Sequence, residues 1–167
     1  DGWKYCYNDG YCARSKYVTI DGSTYYFNGD AVMATGWVTF DAAWHWMTPS
    51  GRMATGWTKV DGSWYYLDPA TGSMATGWAN VDGSWYYLDP ATGAMATGWA
   101  NVDGSWYYLN GNGSMATGWT AVNGKWYYLT GNGAMAIGWV NDGGTWYYLD
   151  ASGKMVTGWV SIDGKRY

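Results

Sequence analysis

Residues 56–67 read GWTKVDGSWYYL, and near-copies stand at 77–88 and 98–109 (GWANVDGSWYYL), 118–129 (GWTAVNGKWYYL) and 138–149 (GWVNDGGTWYYL). WTKV and WYYL are short runs of strand-favouring residues, and Asp61-Gly62 separates them. An Asp-Gly or Asn-Gly pair between two such runs signals a β-hairpin, because a type I′ turn needs positive φ at both central positions. Asp82-Gly83, Asp103-Gly104 and Asn123-Gly124 fill the same place. Asp142-Gly143-Gly144 is a variant, and Asp41-Ala42-Ala43 is a departure expected to bend differently. A two-residue turn fixes the register: Val60 opposite Ser63, Lys59 opposite Trp64, Thr58 opposite Tyr65, Trp57 opposite Tyr66. Side chains alternate faces along a strand. One face then carries Trp57, Lys59, Trp64 and Tyr66; the other carries Thr58, Val60, Tyr65 and Leu67.

The hairpin is one unit of an array. Gly-Trp tryptophans recur at Trp37, Trp57, Trp78, Trp99, Trp119, Trp139 and Trp159, at spacings of 20 or 21. Seven residues after the first six come Trp44, Trp64, Trp85, Trp106, Trp126 and Trp146. Nine residues after come Trp46, Tyr66, Tyr87, Tyr108, Tyr128 and Tyr148. Four residues before each Gly-Trp tryptophan stands Met33, Met53, Met74, Met95, Met115, Met135 or Met155. A lone hairpin is marginal in water, and a unit of this size cannot close its own core, so neighbours must stack. The expected fold is an all-β solenoid of stacked two-stranded hairpins with about 20 residues per repeat. Residues 18–167 form the array and 1–17 an N-terminal segment.

Composition agrees and excludes several functions. All 13 acidic residues are Asp, and neither Glu nor Gln occurs, which removes good helix formers and leaves turn formers. A net charge of −4 argues against nucleic acid, which needs a basic stripe. No apolar run approaches a membrane span, so membrane insertion is not expected. The opening DGWKYCYNDGYC lacks the basic start and apolar stretch of a signal peptide, which suggests a mature or excised fragment. Cys6 and Cys12 read first as a disulfide and hence an extracellular setting, with two free thiols as the alternative. Two Cys and one distant His cannot complete a metal shell, and nothing calls for a cofactor.

The Val60/Tyr65/Leu67 face reads as core. Two indoles per repeat are more than packing requires, and indole is the best aromatic partner for a cation. Two tryptophan faces with a tyrosine from the next hairpin would make a walled slot suited to a quaternary ammonium, which donates no hydrogen bond. At this point the sequence resembles a family. GWxxVDGSWYYLDPATGAMATGW is similar to the choline-binding repeats of Gram-positive bacterial surface proteins, lysins and autolysins, over about residues 18 to 167. The resemblance implies choline held between consecutive hairpins by two Trp of one, an aromatic of the next and a nearby Met. Carried over, Trp37 and Trp44 meet Tyr66, with Met53; Trp57 and Trp64 meet Tyr87, with Met74; Trp78 and Trp85 meet Tyr108, with Met95. Trp99 and Trp106 meet Tyr128, with Met115; Trp119 and Trp126 meet Tyr148, with Met135. Facing parity selects the second Tyr of each pair as the third wall.

The resemblance further implies a secreted module at the bacterial surface or cell wall. Its partner would be choline or phosphocholine on wall or lipoteichoic acid, and self-association as a homodimer follows by analogy. Weak sites on one array gain strength against a polymer by effective concentration. Both ends depart from the pattern. Thr24 replaces the second Trp of the first unit, so a full cage is not expected there. Trp139 and Trp146 are expected to form a half-site closed by a cap, since GKRY places Arg166 where a Trp would stand. His45, the one histidine, reads as structural or solvated. No nucleophile–base set, carboxylate pair or phosphate loop recurs, so the chain is not expected to be an enzyme, although an enzyme domain can be fused in the parent protein. The alternative function is a glucan or carbohydrate-binding repeat module, to which STYYF at 23–27 is similar.

Overall fold

The structure, a computed structural model, describes residues 2–167, and they form β-strands with no helix. The chain divides into two compact units, residues up to 79 with 88–95, and residues 80–87 with 96–167. The first unit holds three antiparallel hairpins: β1 (Lys16–Ile20) with β2 (Ser23–Phe27), β3 (Gly36–Phe40) with β4 (Ala43–Met47), and β5 (Gly56–Val60) with β6 (Ser63–Leu67). Strands β7 (Gly77–Val81) and β8 (Ser84–Leu88) fall at the division. The second unit holds β9 (Gly98–Val102) with β10 (Ser105–Leu109), β11 (Gly118–Val122) with β12 (Lys125–Leu129), β13 (Gly138–Asp142) with β14 (Thr145–Leu149), and the short pair β15 (Ser161–Ile162) with β16 (Lys165–Arg166). The array thus repeats a two-stranded hairpin about every 20 residues.

The register is the one a two-residue turn dictates: Val60 faces Ser63, Lys59 faces Trp64 and Trp57 faces Tyr66. Asp61 and Gly62 both have positive φ, 48° and 89°. The Asp41-Ala42 turn does not bend differently, contrary to the sequence reading. Phe40 still faces Ala43, and Ala42 is held at φ 59°. Pairing along both strands imposes the turn on a residue that disfavours it. In the last full hairpin Gly143 and Gly144 occupy the turn, which leaves Asp142 as the final residue of β13, opposite Thr145.

Each repeat contains a third piece of extended chain. After β6 the loop returns so that Met74 bridges Leu67, and its N–H donates to the Trp44 carbonyl of the preceding hairpin at 2.7 Å. The same pattern ties Met53 to Thr24 in the first unit, and Met135 to Trp106 and Met155 to Trp126 in the second. These bonds, from each methionine to a hairpin before its own, hold neighbouring hairpins together. The methionine side chain fills the space beside a loop glycine. A Cβ built on Gly72, at φ +72°, would lie 2.6 Å from the Met53 sulfur. One repeat position supplies the most buried side chains of each unit: Met47, Leu67 and Leu88 in the first and Leu109, Leu129 and Leu149 in the second are each 0% exposed.

At the N-terminus Cys6 and Cys12 are joined as a disulfide, and this segment is bonded to the first hairpin and its returning loop. Ser15 N–H donates to the Asn28 carbonyl, Met33 N–H to the Trp3 carbonyl, and Arg14 Nη1 to the Gly29 carbonyl.

Three stability effects are expected in thermal or urea unfolding. Ala42→Gly relieves the left-handed alanine and raises stability by roughly 0.5–1 kcal/mol. Leu67→Ala opens a cavity and lowers it by about 2–5 kcal/mol. Gly72→Ala costs more than Gly62→Ala: both strain φ, at about 1–2 kcal/mol each, but only the former collides with a packed methionine, whereas a Cβ at Gly62 meets nothing within 4 Å.

Candidate functional site

The two faces of a hairpin look at different neighbours. The Trp37/Trp44 face of β3–β4 receives Tyr65 from β6, with ring centroids of Trp37 and Tyr65 4.9 Å apart and planes at 68°. Trp37 and Trp44 lie 6.4 Å apart at 89°. These rings, with Met74, Ala91 and Thr92, line an open slot of about 250 Å³. In the second unit Trp99, Trp106, Tyr127, Met135, Ala151 and Ser152 line the equivalent slot of about 370 Å³, with Trp99 and Tyr127 4.8 Å apart at 66°. Trp119 and Tyr147 repeat the contact at 4.7 Å and 68°.

In these slots the third ring is therefore the first tyrosine of the pair, Tyr65, Tyr127 or Tyr147, whereas facing parity selects the second. Tyr66 rests on Trp57 of its own hairpin at 5.1 Å, and Tyr108, Tyr128 and Tyr148 do the same on Trp99, Trp119 and Trp139. A stack is head-to-tail, so the ring that reaches a preceding hairpin comes from the face opposite that hairpin's own tryptophans. Facing parity relates residues on one face of a hairpin and does not identify the neighbour which that face meets. The methionine shifts by one repeat for a related reason. Met74, not Met53, lines the Trp37/Trp44 slot, and Met135, not Met115, lines the Trp99/Trp106 slot. The returning chain carries each methionine back over an intervening hairpin. Met95 and Met115 follow the same offset, donating to the carbonyls of Trp64 and Trp85.

The second tryptophan of each repeat is half exposed: Trp44 48%, Trp64 41%, Trp85 45%, Trp106 46% and Trp126 47%. Core residues at fixed period would not leave that much indole in water. The rings are presented, while the leucine two strand positions beyond the first tyrosine carries the packing.

Loop residues complete the slots. Ala91 and Thr92 belong to DPATG at 89–93, which the Asp89 carboxylate ties down by accepting from the N–H of Ala91 and from the N–H and hydroxyl of Thr92 at 2.8–3.1 Å. Those bonds, the Thr92 hydroxyl foremost, hold the Asp89 carboxyl below the usual carboxylate range. Asp150 anchors Ser152 in the same way and is lowered chiefly by the Ser152 hydroxyl. The recurrence of DPATG was the available signal for these residues.

Two slots depart from the pattern. Asp142, displaced onto β13 by the Gly-Gly turn, accepts a 2.9 Å hydrogen bond from the Trp119 indole, which brings a carboxylate to the slot of Trp119, Trp126 and Tyr147. Trp139 and Trp146 do not form a half-site. Tyr167 stands where a first tyrosine stands in other repeats, and the three rings enclose about 410 Å³, with Trp139 and Tyr167 5.1 Å apart at 69°. The Arg166 guanidinium lies instead over the Trp159 ring, 4.7 Å from its centroid.

The choline-binding repeat profile matches residues 34–76, 54–98 and 96–137, and a putative cell wall binding repeat profile matches 15–30 and 137–155. A comparison with curated protein sequences finds no match. Among solved structures, CbpJ of Streptococcus pneumoniae is 46% identical over 87% of this chain and 53% of its own, with a TM-score of 0.83. Choline binding protein F of Streptococcus pneumoniae, crystallised in the presence of a peptidoglycan analogue, is 41% identical over 95% of this chain and 57% of its own, with a TM-score of 0.86. The choline-binding domain of CbpL from Streptococcus pneumoniae is 33% identical over 93% of this chain and 82% of its own, with a TM-score of 0.65. The chain thus spans little more than half the length of the first two. The period, the hairpin register and the profile matches agree, and the chain belongs to the choline-binding repeat family of cell-wall-binding modules.

Proposed function

We propose that the chain is a non-catalytic module that tethers its parent protein to the cell wall by gripping the trimethylammonium groups of choline on teichoic acids in its three-ring slots. The observation that carries this is the steeply angled box of two tryptophans and one tyrosine, open to solvent on one side, at Trp37/Trp44/Tyr65, Trp99/Trp106/Tyr127 and Trp139/Trp146/Tyr167. A quaternary ammonium forms no hydrogen bond, so aromatic faces attract it where water competes poorly. The Trp139/Trp146/Tyr167 slot is lined by these rings alone and offers nothing else to a ligand. Each desolvated cation–π contact contributes about 2 kcal/mol. A few such contacts, less the cost of association, give single-site dissociation constants on the order of a millimolar. Several slots engaging one choline-bearing polymer convert that weakness into stable attachment.

A choline titration should give a saturable tryptophan fluorescence change in the millimolar range together with a rising melting temperature. No change in either at tens of millimolar would refute the reading. Trp106→Ala should remove one choline equivalent in calorimetry with little loss of stability, because that indole is half exposed. Tyr127→Phe should keep the site. Tyr127→Ala should lose the site and about 3–5 kcal/mol of stability, because this ring is also packed with Val122 and Leu129.

The number of sites should not change between about pH 7 and about pH 5. Asp89 and Asp150, which pin the slot loops, have carboxyls lowered by hydrogen bonding in the folded chain. A lowered carboxyl stabilises the fold fully above its unfolded pKa of about 3.9. That contribution is lost only as pH falls through the lower folded value. Calorimetric stoichiometry at the two pH values checks this.

A further inference from the structure

Each wall tyrosine is preceded, five residues earlier, by a side chain on its own face of the hairpin. That position holds Val60 before Tyr65, Val122 before Tyr127, Ile162 before Tyr167 and Asp142 before Tyr147. Strand pairing sets Val60 opposite Ser63, Val122 opposite Lys125, Ile162 opposite Lys165 and Asp142 opposite Thr145, which fixes the shared face. Val60 and Val122 are buried, and Trp99 packs against the cluster that contains Val122, Tyr127 and Leu129. Asp142 makes the corresponding approach to Trp119, but it is exposed, and its Oδ2 accepts from the indole Nε1 at 2.9 Å. An apolar contact has become a charged one.

The rest of that slot is retained. Tyr147 stands 4.7 Å from Trp119, Trp119 and Trp126 share a face by register, and Met155 N–H donates to the Trp126 carbonyl as Met135 N–H does to that of Trp106. The hydrogen bond engages the edge of the Trp119 indole and leaves its faces to a ligand. Donation to an anion also raises electron density on the ring, which strengthens the face that attracts a cation. The carboxylate itself adds a full negative charge at the edge of the slot. A cation seated on Trp119 would stand roughly 6 Å from it, which after screening by water is worth about a three- to tenfold gain in affinity.

We propose that Asp142 sets the ligand preference of the Trp119/Trp126/Tyr147 slot: this slot fills with a cationic ligand before the slots of neutral lining, and it disfavours a ligand whose ammonium has a phosphate beside it. Choline carries one positive charge and gains the whole attraction. Phosphocholine carries a phosphate of opposite sign close to its ammonium, so the carboxylate's attraction is offset or reversed. The Trp99/Trp106/Tyr127 slot, with Val122 in the place of Asp142, has no such term and is the internal reference. The inference rests on the cage reading above and adds a charge preference to one slot.

The indole N–H resonances, assigned by single Trp→Phe replacements, follow each slot separately in titrations of the whole chain. At low salt, Trp119 and Trp126 should reach half-saturation at about three- to tenfold less choline than Trp99 and Trp106. The gap should narrow as salt screens the charge, and it should shrink or invert with phosphocholine. Asp142→Asn keeps an acceptor for the Trp119 indole and removes the charge. It should bring Trp119 and Trp126 to the midpoint of Trp99 and Trp106 and leave the latter two unmoved. Equal midpoints in the unaltered chain, a gap that survives Asp142→Asn, or a gap of the same size with phosphocholine overturns this inference alone. Absence of any indole shift with choline overturns the cage reading and this inference with it.

Discussion

A hairpin of two five-residue strands has two faces and can hide neither by itself, so everything here depends on how one hairpin's tryptophan face is covered by the next. The covering is partial. Trp37 lies between Trp46 of its own hairpin, at 5.2 Å, and Tyr65 of the following one, at 4.9 Å. Trp99, Trp119 and Trp139 have the same pair of neighbours, one tyrosine from within and one from beyond. The second tryptophan, set at nearly a right angle, is left half in water. One contact therefore joins the repeats and makes the slot, which is why stability and binding share residues such as Tyr127.

Much of this was legible in the chain. Period, strand limits, register and the division into a leucine face and a tryptophan face all follow from Gly-Trp, Asp-Gly and Trp-Tyr-Tyr recurring in order. The choice between adjacent tyrosines did not follow, because alternation states which residues share a face and not what that face meets. Tyr65 belongs to the packing face of its hairpin and is a slot wall of the one before; a single strand pattern cannot express both roles. Met74 lay one repeat from its expected place because the return of the chain over a hairpin is set by backbone bonds such as Met74 N–H to the Trp44 carbonyl, which have no sequence signature.

The turns show how strongly pairing overrides local preference. Gly143-Gly144 accepts the left-handed turn readily, while Asp41-Ala42 adopts it against the bias of an alanine, because the five residue pairs of each hairpin would otherwise lose register. The Gly-Gly turn has a chemical by-product. It places Asp142 where β5, β7, β9 and β11 hold a valine, within reach of the Trp119 indole. A change that looks like turn chemistry thus alters the electrostatics of a slot, since a carboxylate beside the rings favours a cation.

Such drift is what a repeat architecture permits. Backbone bonds and the buried leucines hold each slot's frame whatever lines it, so a lining residue can change without loss of the hairpin register. At the C-terminal end Tyr167 supplies the third ring although Arg166 has replaced the tryptophan beside it. At the N-terminal end the loss of an indole at Thr24 comes with a larger residue at Phe40, which packs against Tyr17, Tyr26 and His45 and fills part of the space. The substitutions at Thr24, Phe40 and His45 are mutually consistent in size. They do not rebuild a cage of two tryptophans and a tyrosine, for a threonine and a buried imidazole stand where the Trp37 slot has Trp44 and Tyr65.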